Sequence, residues 1–232
     1  TDNVYVGSNV VHMTSDKAVN WNVISPDLTR RLLENDEEKA DIPGGPIQND
    51  ATGVEVYSSI FSLEESPHNE GEIWTGSDDG MIHITKDGGK TWNHVGLPKA
   101  GLIGAVEIHP DNPNEVFVAA IGQPFQTNIE RGVYRSRDGG KSWKKVLFIA
   151  DSVGVSDIEF APGNPKIIYA DTWRTERKPW TIISGGQNGG IYKSQNGGET
   201  WVKKSKGLPK GLIGKIDLAV SPNDPDLSLI HI

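Results

Sequence analysis

The sequence predicts an all-β protein built from a repeated hairpin, and three observations carry that reading. One eight-residue phrase recurs four times along 232 residues. Apolar residues alternate with polar ones beside the copies, as in Met81-Ile82-His83-Ile84 before one and Gly132-Val133-Tyr134 before another. Gly 27 and Pro 14 against 35% hydrophobic residues fit many short strands separated by turns.

The phrase is clearest in Thr85-Lys86-Asp87-Gly88-Gly89-Lys90-Thr91-Trp92 and in Ser136-Arg137-Asp138-Gly139-Gly140-Lys141-Ser142-Trp143. Ser194-Gln195-Asn196-Gly197-Gly198-Glu199-Thr200-Trp201 exchanges the acid for its amide. Thr14-Ser15-Asp16-Lys17-Ala18-Val19-Asn20-Trp21 is a worn copy that has lost the second glycine. The glycines suit positive φ in a tight turn, and the Asp or Asn side chain accepts turn N–H groups. The hydroxyl adds a weaker bond of the same kind. Trp21, Trp92, Trp143 and Trp201 then open the next strand with a large apolar face and one N–H to satisfy. A metal or catalytic site at Asp16, Asp87, Asp138 or Asn196 is the weaker reading, because a turn repeated in every unit is scaffolding.

This frame resembles the Asp-box, or BNR repeat, of sialidases, sortilin-type receptors and several glycoside hydrolases. In those families it marks the hairpin between the third and fourth strands of a β-propeller blade, on the rim away from the ligand-binding face. The stretches from Trp21 to Arg30, Glu64-Glu65-Ser66-Pro67 and Trp74-Thr75-Gly76-Ser77-Asp78-Asp79-Gly80 are similar to bacterial secreted proteins with a sortilin-like propeller, often labelled glycosyl hydrolases. The resemblance covers nearly the whole chain. It implies a β-propeller of about four four-stranded antiparallel blades, or a piece of a larger propeller. It also implies a secreted or periplasmic setting, a polysaccharide or peptide ligand, and no cofactor.

The spacing of the boxes exceeds the ~40–50 residues of one four-stranded blade, so each unit is a blade plus an insertion. Val4-Tyr5-Val6-Gly7 and Val10-Val11-His12-Met13 read as strands two and three of a blade. Residues 26–52 are an inter-blade insertion, in which Asp27 caps a short helix through Leu32 and Leu33 before a solvated acidic run. A second blade starts at Val54-Glu55-Val56-Tyr57 and ends near Val95; a third runs from Gly101 to Val146, and a fourth from Val153 to about Lys204. In each, the first strand ends in a proline turn, at Pro67, Pro110 and Pro162. Residues 212–220 repeat that first strand once more. Joined to the N-terminal strands it would complete a blade and close a four-bladed ring, the alternative being a fragment of a larger propeller. Residues 1–226 thus form one propeller or propeller fragment, and 227–232, which match nothing in the repeat, a non-native or disordered tail.

Net charge −8 argues against a nucleic-acid or anionic-membrane surface. No run approaches the roughly 18 apolar residues of a membrane span. Zero cysteines exclude thiolate metal sites. The histidines lack ligand spacing, since His12 and His83 share a repeat slot with Tyr134 and Tyr192, which marks a packing position. No metal site is expected.

Two long connections stand out as binding candidates: 122–131, which contains Phe125, and 171–190. In the latter, Arg174, Arg177 and Lys178 stand between Trp173 and Trp180. Aromatic platforms beside guanidinium groups suit a sugar ring, a carboxylate or a peptide; the plainer alternative is that both tryptophans pack the loop onto neighbouring blades. The turn at Asp78 and Asp79 is the nearest catalytic candidate, since some Asp-box glycosidases carry an acid in a similar turn. Glycoside hydrolysis needs a second carboxyl across a cleft, and Glu55, Glu64 and Glu107 are further acids without an assigned place. An Asp-Asp-Gly sequence is commonly only a turn.

Overall fold

The computed structural model describes residues 3–29, 58–178, 180–222 and 228–231. Every strand pairing is antiparallel, and the sheets follow one another along the chain. The first sheet holds β1 (Val4–Gly7), β2 (Val11–Thr14) and β3 (Asn22–Val23). The second is the meander β4 (Ile60–Glu65), β5 (Ile73–Ser77), β6 (Ile82–Thr85) and β7 (Asn93–His94). The third repeats it with β8 (Leu102–Ile108), β9 (Val116–Gly122), β10 (Gly132–Ser136) and β11 (Lys144–Leu147). The fourth contains β12 (Val153–Gly154), β13 (Ile158–Ala161), β14 (Asn164–Lys178), β15 (Thr181–Ser184), β16 (Gly190–Ser194) and β17 (Val202–Lys204). Two further strands, β18 (Asp217–Val220) and β19 (Ser228–His231), pair with each other. Among the described residues no helix occurs, and none is long and apolar enough to cross a membrane.

The apolar cores lie between consecutive sheets. Trp74, Ile82 and Ile84 on the second sheet meet Val106, Ile108, Val116 and Val118 on the third. Phe117, Ala119 and Val133 on the other face of the third meet Ile158, Phe160 and Ile168. Tyr169 and Ile191 meet Ile213, Ile216 and Leu218, and Val11 and Leu28 meet Ile60. This is the period-two alternation of a strand whose two faces each serve a different interface. Each buried Ile, Val or Leu contributes about 1.5–3 kcal/mol.

The boxes are four copies of one hydrogen-bond scheme. Thr85 Oγ1 donates to Asp87 Oδ1 over 2.9 Å and accepts the Gly89 N–H, while the Thr91 N–H donates to Asp87 Oδ1 over 2.9 Å. Ser136, Asp138, Gly140 and Ser142 repeat it, as do Ser194, Asn196, Gly198 and Thr200. These donors pull the Asp16, Asp87 and Asp138 carboxyls down to about 2. In the worn copy the scheme persists, but Lys17 and Ala18 take the two glycine places at φ 61 and 67. Left-handed backbone at non-glycine residues is strained by about 1–2 kcal/mol each.

The box tryptophans tie sheet to sheet. Trp92 Nε1 donates to the Ile24 carbonyl over 2.9 Å, and Trp143 Nε1 to the Val95 carbonyl over 2.7 Å. Both acceptors follow the last strand of the preceding sheet. Trp201 bonds its own Gly198 carbonyl and packs into the core between the third and fourth sheets.

Three expectations change. Strand one of the second blade is Ile60–Glu65, and residues 54–57, like the expected helix through Leu32 and Leu33, lie outside the described residues. Asp27 accepts the Thr29 N–H over 3.0 Å and the Asn9 side-chain amide over 2.9 Å. The expected joining of the last strand to the first sheet is not formed among the described residues: β18 pairs with β19, and β1 with β2. Pairing across a short connection closes a much smaller loop than pairing across the whole chain. Residues 228–231, set apart as tail by sequence, are a strand.

Candidate functional site

The two ends of the sheets carry different structures. At one end the boxes abut the turns between strands one and two, with Gly88, Gly139 and Gly197 donating to Gly71, Asn114 and Lys166 carbonyls. At the other end the turns between strands two and three meet the connections that start the next sheet. Gly80 stands against Gly101, Gly101 against Gly122 and Gln123, and Gly154 against the Ile121 carbonyl. The turn at Asp78 and Asp79, the connection 122–131 and the segment 171–190 all belong to this second end.

Segment 171–190 is largely a hairpin rather than a loop. β14 runs on to Lys178 and returns as β15, with Thr175 opposite Ser184 and Arg177 opposite Ile182. The run Thr172-Trp173-Arg174-Thr175 joins Thr181-Ile182-Ile183 in residue types that favour strands. Trp173 Nε1 donates to Ser184 Oγ over 3.1 Å, locking its ring across the hairpin. Trp180 sits at the turn and is 80% exposed.

Strand alternation divides the expected ligand set. Trp173, Thr175 and Arg177 share one face of β14, whereas Arg174 is on the other with Glu176 and Lys178. The Arg174 side chain runs beside Gly186, its carbonyl accepts the Gly185 N–H over 2.8 Å, and Glu176 pairs with Lys178. Trp173 and Arg177 therefore stay together; Arg174 is a packing residue of the hairpin base.

The neighbouring connection braces the hairpin. The Arg177 N–H donates to the Pro124 carbonyl over 2.6 Å, placing half-buried Phe125 next to it in sequence. Arg131, fully buried, donates to the carbonyls of Gln123 over 2.5 Å, Gln126 over 3.1 Å and Ser152 over 3.4 Å. Burial lowers its pKa to about 10, so it stays charged at neutral pH. Sequence inspection missed Arg131; its only signal is an arginine just before an apolar strand, where convergence of carbonyls is invisible.

Asp78 and Asp79 are both buried. Asp78 Oδ1 accepts the N–H groups of Ser58 over 3.1 Å and Ser59 over 2.9 Å, and the Asp78 N–H returns to the Ser59 carbonyl over 3.0 Å. Asp171 repeats this arrangement with Ser156 and Asp157 in the fourth sheet. Burial pushes Asp78 and Asp171 each up to about 7. Asp79 accepts from Ser77 Oγ inside its own turn. The shared scheme makes Asp78 a tie between strand two and the start of strand one, and the third sheet separates this turn from the hairpin.

A second group of acids lies along the first strands. Glu64, Glu107 and Glu159 each stand three residues before a turn proline, on β4, β8 and β13, near the box end. Burial, then Glu159, Glu64 and Asp157, raises Glu107 to about 9, and burial with Asp157 and Glu64 raises Glu159 to about 7. The recurring Glu-x-x-Pro phrase is the signal that places them and that sequence inspection overlooked for Glu159. Glu55 lies outside the described residues. Among the described residues no group of three or more His, Asp or Glu is arranged to hold a metal ion.

Comparison with known proteins agrees with this architecture. The BNR/Asp-box repeat family matches residues 134–145. The oligoxyloglucan-reducing end-specific xyloglucanase of Emericella nidulans is 33% identical over 89 residues, covering 36% of this chain and 10% of that protein. An ancestral GH74 enzyme superposes with TM-score 0.66 at 18% identity, over 96% of this chain and 25% of its own. The GH74 enzyme of Niastella koreensis does so with TM-score 0.54 at 16% identity, over 89% of this chain and 28% of its own. The chain thus spans about a quarter or less of these relatives. The fold is that of an Asp-box β-propeller.

Proposed function

We propose that the chain forms part of a periplasmic or secreted propeller that holds a polysaccharide on the end carrying the β14–β15 hairpin, with Trp180 as stacking platform. The supporting observation is Trp180 itself. An indole 80% exposed to water, on a hairpin fixed by the Trp173–Ser184 and Arg177–Pro124 bonds, is an apolar ring presented at little further ordering cost. Sugar rings offer C–H faces that pack on such a ring, and Arg177 on the neighbouring strand supplies hydrogen-bond donors. The likeness over 89 residues to a xyloglucanase favours a polysaccharide over a peptide. Burial of Asp78 against Ser58 and Ser59, and of Asp79 against Ser77, favours binding over hydrolysis.

Affinity electrophoresis and calorimetry with xyloglucan oligosaccharides test this reading. Trp180→Ala should weaken binding about tenfold, on the order of 1.4 kcal/mol, with an unchanged melting temperature. Equal affinity of Trp180→Ala and the parent protein would overturn the platform assignment. Release of reducing ends that disappears in Asp79→Asn would make the protein a hydrolase instead.

A further inference from the structure

The residue two places before each box stands opposite a residue of the last strand, giving one such cross-strand pair in each of the four box-bearing sheets. In the third sheet the pair is Tyr134 with Lys145, whose ammonium lies 5.3 Å from the tyrosine ring centre. In the fourth it is Tyr192 with Lys203, and in the first His12 with Val23. Among the described residues only the second sheet places an imidazole at both positions, His83 on β6 and His94 on β7. The Val95 N–H donates to the Ile82 carbonyl over 2.8 Å, so the hydrogen-bonded rung is the adjacent one and His83–His94 is a non-bonded rung. In an antiparallel ladder such rungs bring side chains closest, with Cα atoms about 4.5 Å apart.

The ring centres of His83 and His94 are 5.3 Å apart, with their planes tilted by 57°. Two imidazoles on one ion, each bonded at about 2.0–2.1 Å, hold their centres roughly 5 Å apart. His83 Nδ1 is buried and meets no hydrogen-bond partner among the described residues. A buried nitrogen in that state is costly, and an ion is one of the few groups that can take it up. Burial, and then His94, lowers His83 to about 4, which leaves the ring neutral at pH 7 as a ligand must be. His94 is exposed, which gives an ion a path in and leaves room for waters to complete its coordination.

We propose that His83 and His94 form a two-imidazole site for a divalent transition-metal ion, held across the rung between β6 and β7. Imidazole nitrogens take Cu²⁺ ahead of Ni²⁺ and Zn²⁺. Ca²⁺ and Mg²⁺ prefer oxygen ligands, which this pair does not offer. β7 consists of Asn93 and His94, so the ion would pin that short outer strand to its neighbour. Sequence spacing showed His83 as a packing residue because His94 is brought opposite it only by the hairpin register.

Calorimetric titration of the whole chain with CuCl₂, NiCl₂ and ZnCl₂ tests the proposal. One Cu²⁺ should bind at this site, more tightly than Ni²⁺ or Zn²⁺, and its electron paramagnetic resonance spectrum should show coupling to two imidazole nitrogens. His94→Gln, at an exposed position, should fold as the parent does, weaken Cu²⁺ at least about tenfold and abolish the rise in melting temperature that Ni²⁺ gives the parent. His83→Gln should weaken Cu²⁺ likewise. His12→Gln, in the same slot of the first sheet but opposite Val23, should leave binding unchanged. No saturable Cu²⁺ site, binding that survives His94→Gln, loss of binding in His12→Gln, or coupling to a single imidazole would each overturn it.

Discussion

Trp143 donates its indole N–H to the Val95 carbonyl over 2.7 Å, and this bond fastens the third sheet to the end of the second. Trp143→Phe keeps most of the apolar contact and leaves that carbonyl without its donor, so it should cost about 1–2 kcal/mol in urea unfolding. Trp21→Phe, whose indole N–H meets no carbonyl of another sheet among the described residues, should cost less than about 0.5 kcal/mol. Equal losses would show that the box tryptophans act by ring packing alone.

The worn box offers the opposite experiment. Ala18 sits at φ 67, so Ala18→Gly should relieve left-handed strain and raise stability by up to about 1 kcal/mol. Gly140→Ala should destabilise by about 1–3 kcal/mol, because φ is 86 there and a Cβ would stand 3.0 Å from the Trp74 ring. A thermal melt of both variants decides the matter, and a gain from Gly140→Ala would refute the assigned geometry.

Arg131→Met should strip three carbonyls of their donor and free the connection 122–131. The expected result is faster hydrogen exchange there and at Arg177, whose N–H rests on Pro124, with a loss of about 2–4 kcal/mol. Arg131→Lys should rescue little, because one ammonium cannot span the same set of acceptors. Full rescue would contradict the fork geometry.

Stability should depend on pH through two opposing sets of groups. The folded state holds Glu107 near about 9 and Glu159, Asp78 and Asp171 near about 7, above their ordinary values of 4.5 or 3.8. It therefore binds more protons than the unfolded chain over that window, and this contribution is lost as pH rises. His83, buried beside His94, falls from 6.5 to about 4 and works the other way, favouring folding as pH rises between those values. Below 3.8 the depressed box carboxyls lose their contribution as pH falls toward about 2. Four raised carboxyls against one histidine place the melting maximum at about pH 4 with a decline toward pH 9. Glu107→Gln should flatten that alkaline decline; an unaltered slope would remove Glu107 from the account.

What the sequence disclosed follows the range of the contacts involved. The box could be read because Thr85 with Gly89, and Asp87 with Thr91, satisfy one another within eight residues. The proline turns after β4, β8 and β13 were legible for the same reason. Asp78 was open to a catalytic reading in the sequence because its partners, Ser58 and Ser59, lie a strand away. The hairpin of β14 and β15 was read as loop because its Trp-Arg-Thr-Glu-Arg run alternates without an apolar stripe. Arg174 was grouped with Trp173 for want of a register, which only the pairing of Thr175 with Ser184 supplies.

Because the apolar cores sit between sheets, cooperativity here extends only from neighbour to neighbour. Loosening an outermost sheet costs a single interface, while opening the third, held on both sides, costs two. Loss of one seam, such as that of Trp74 with Val116, should thus loosen the two sheets that share it and leave the next seam standing.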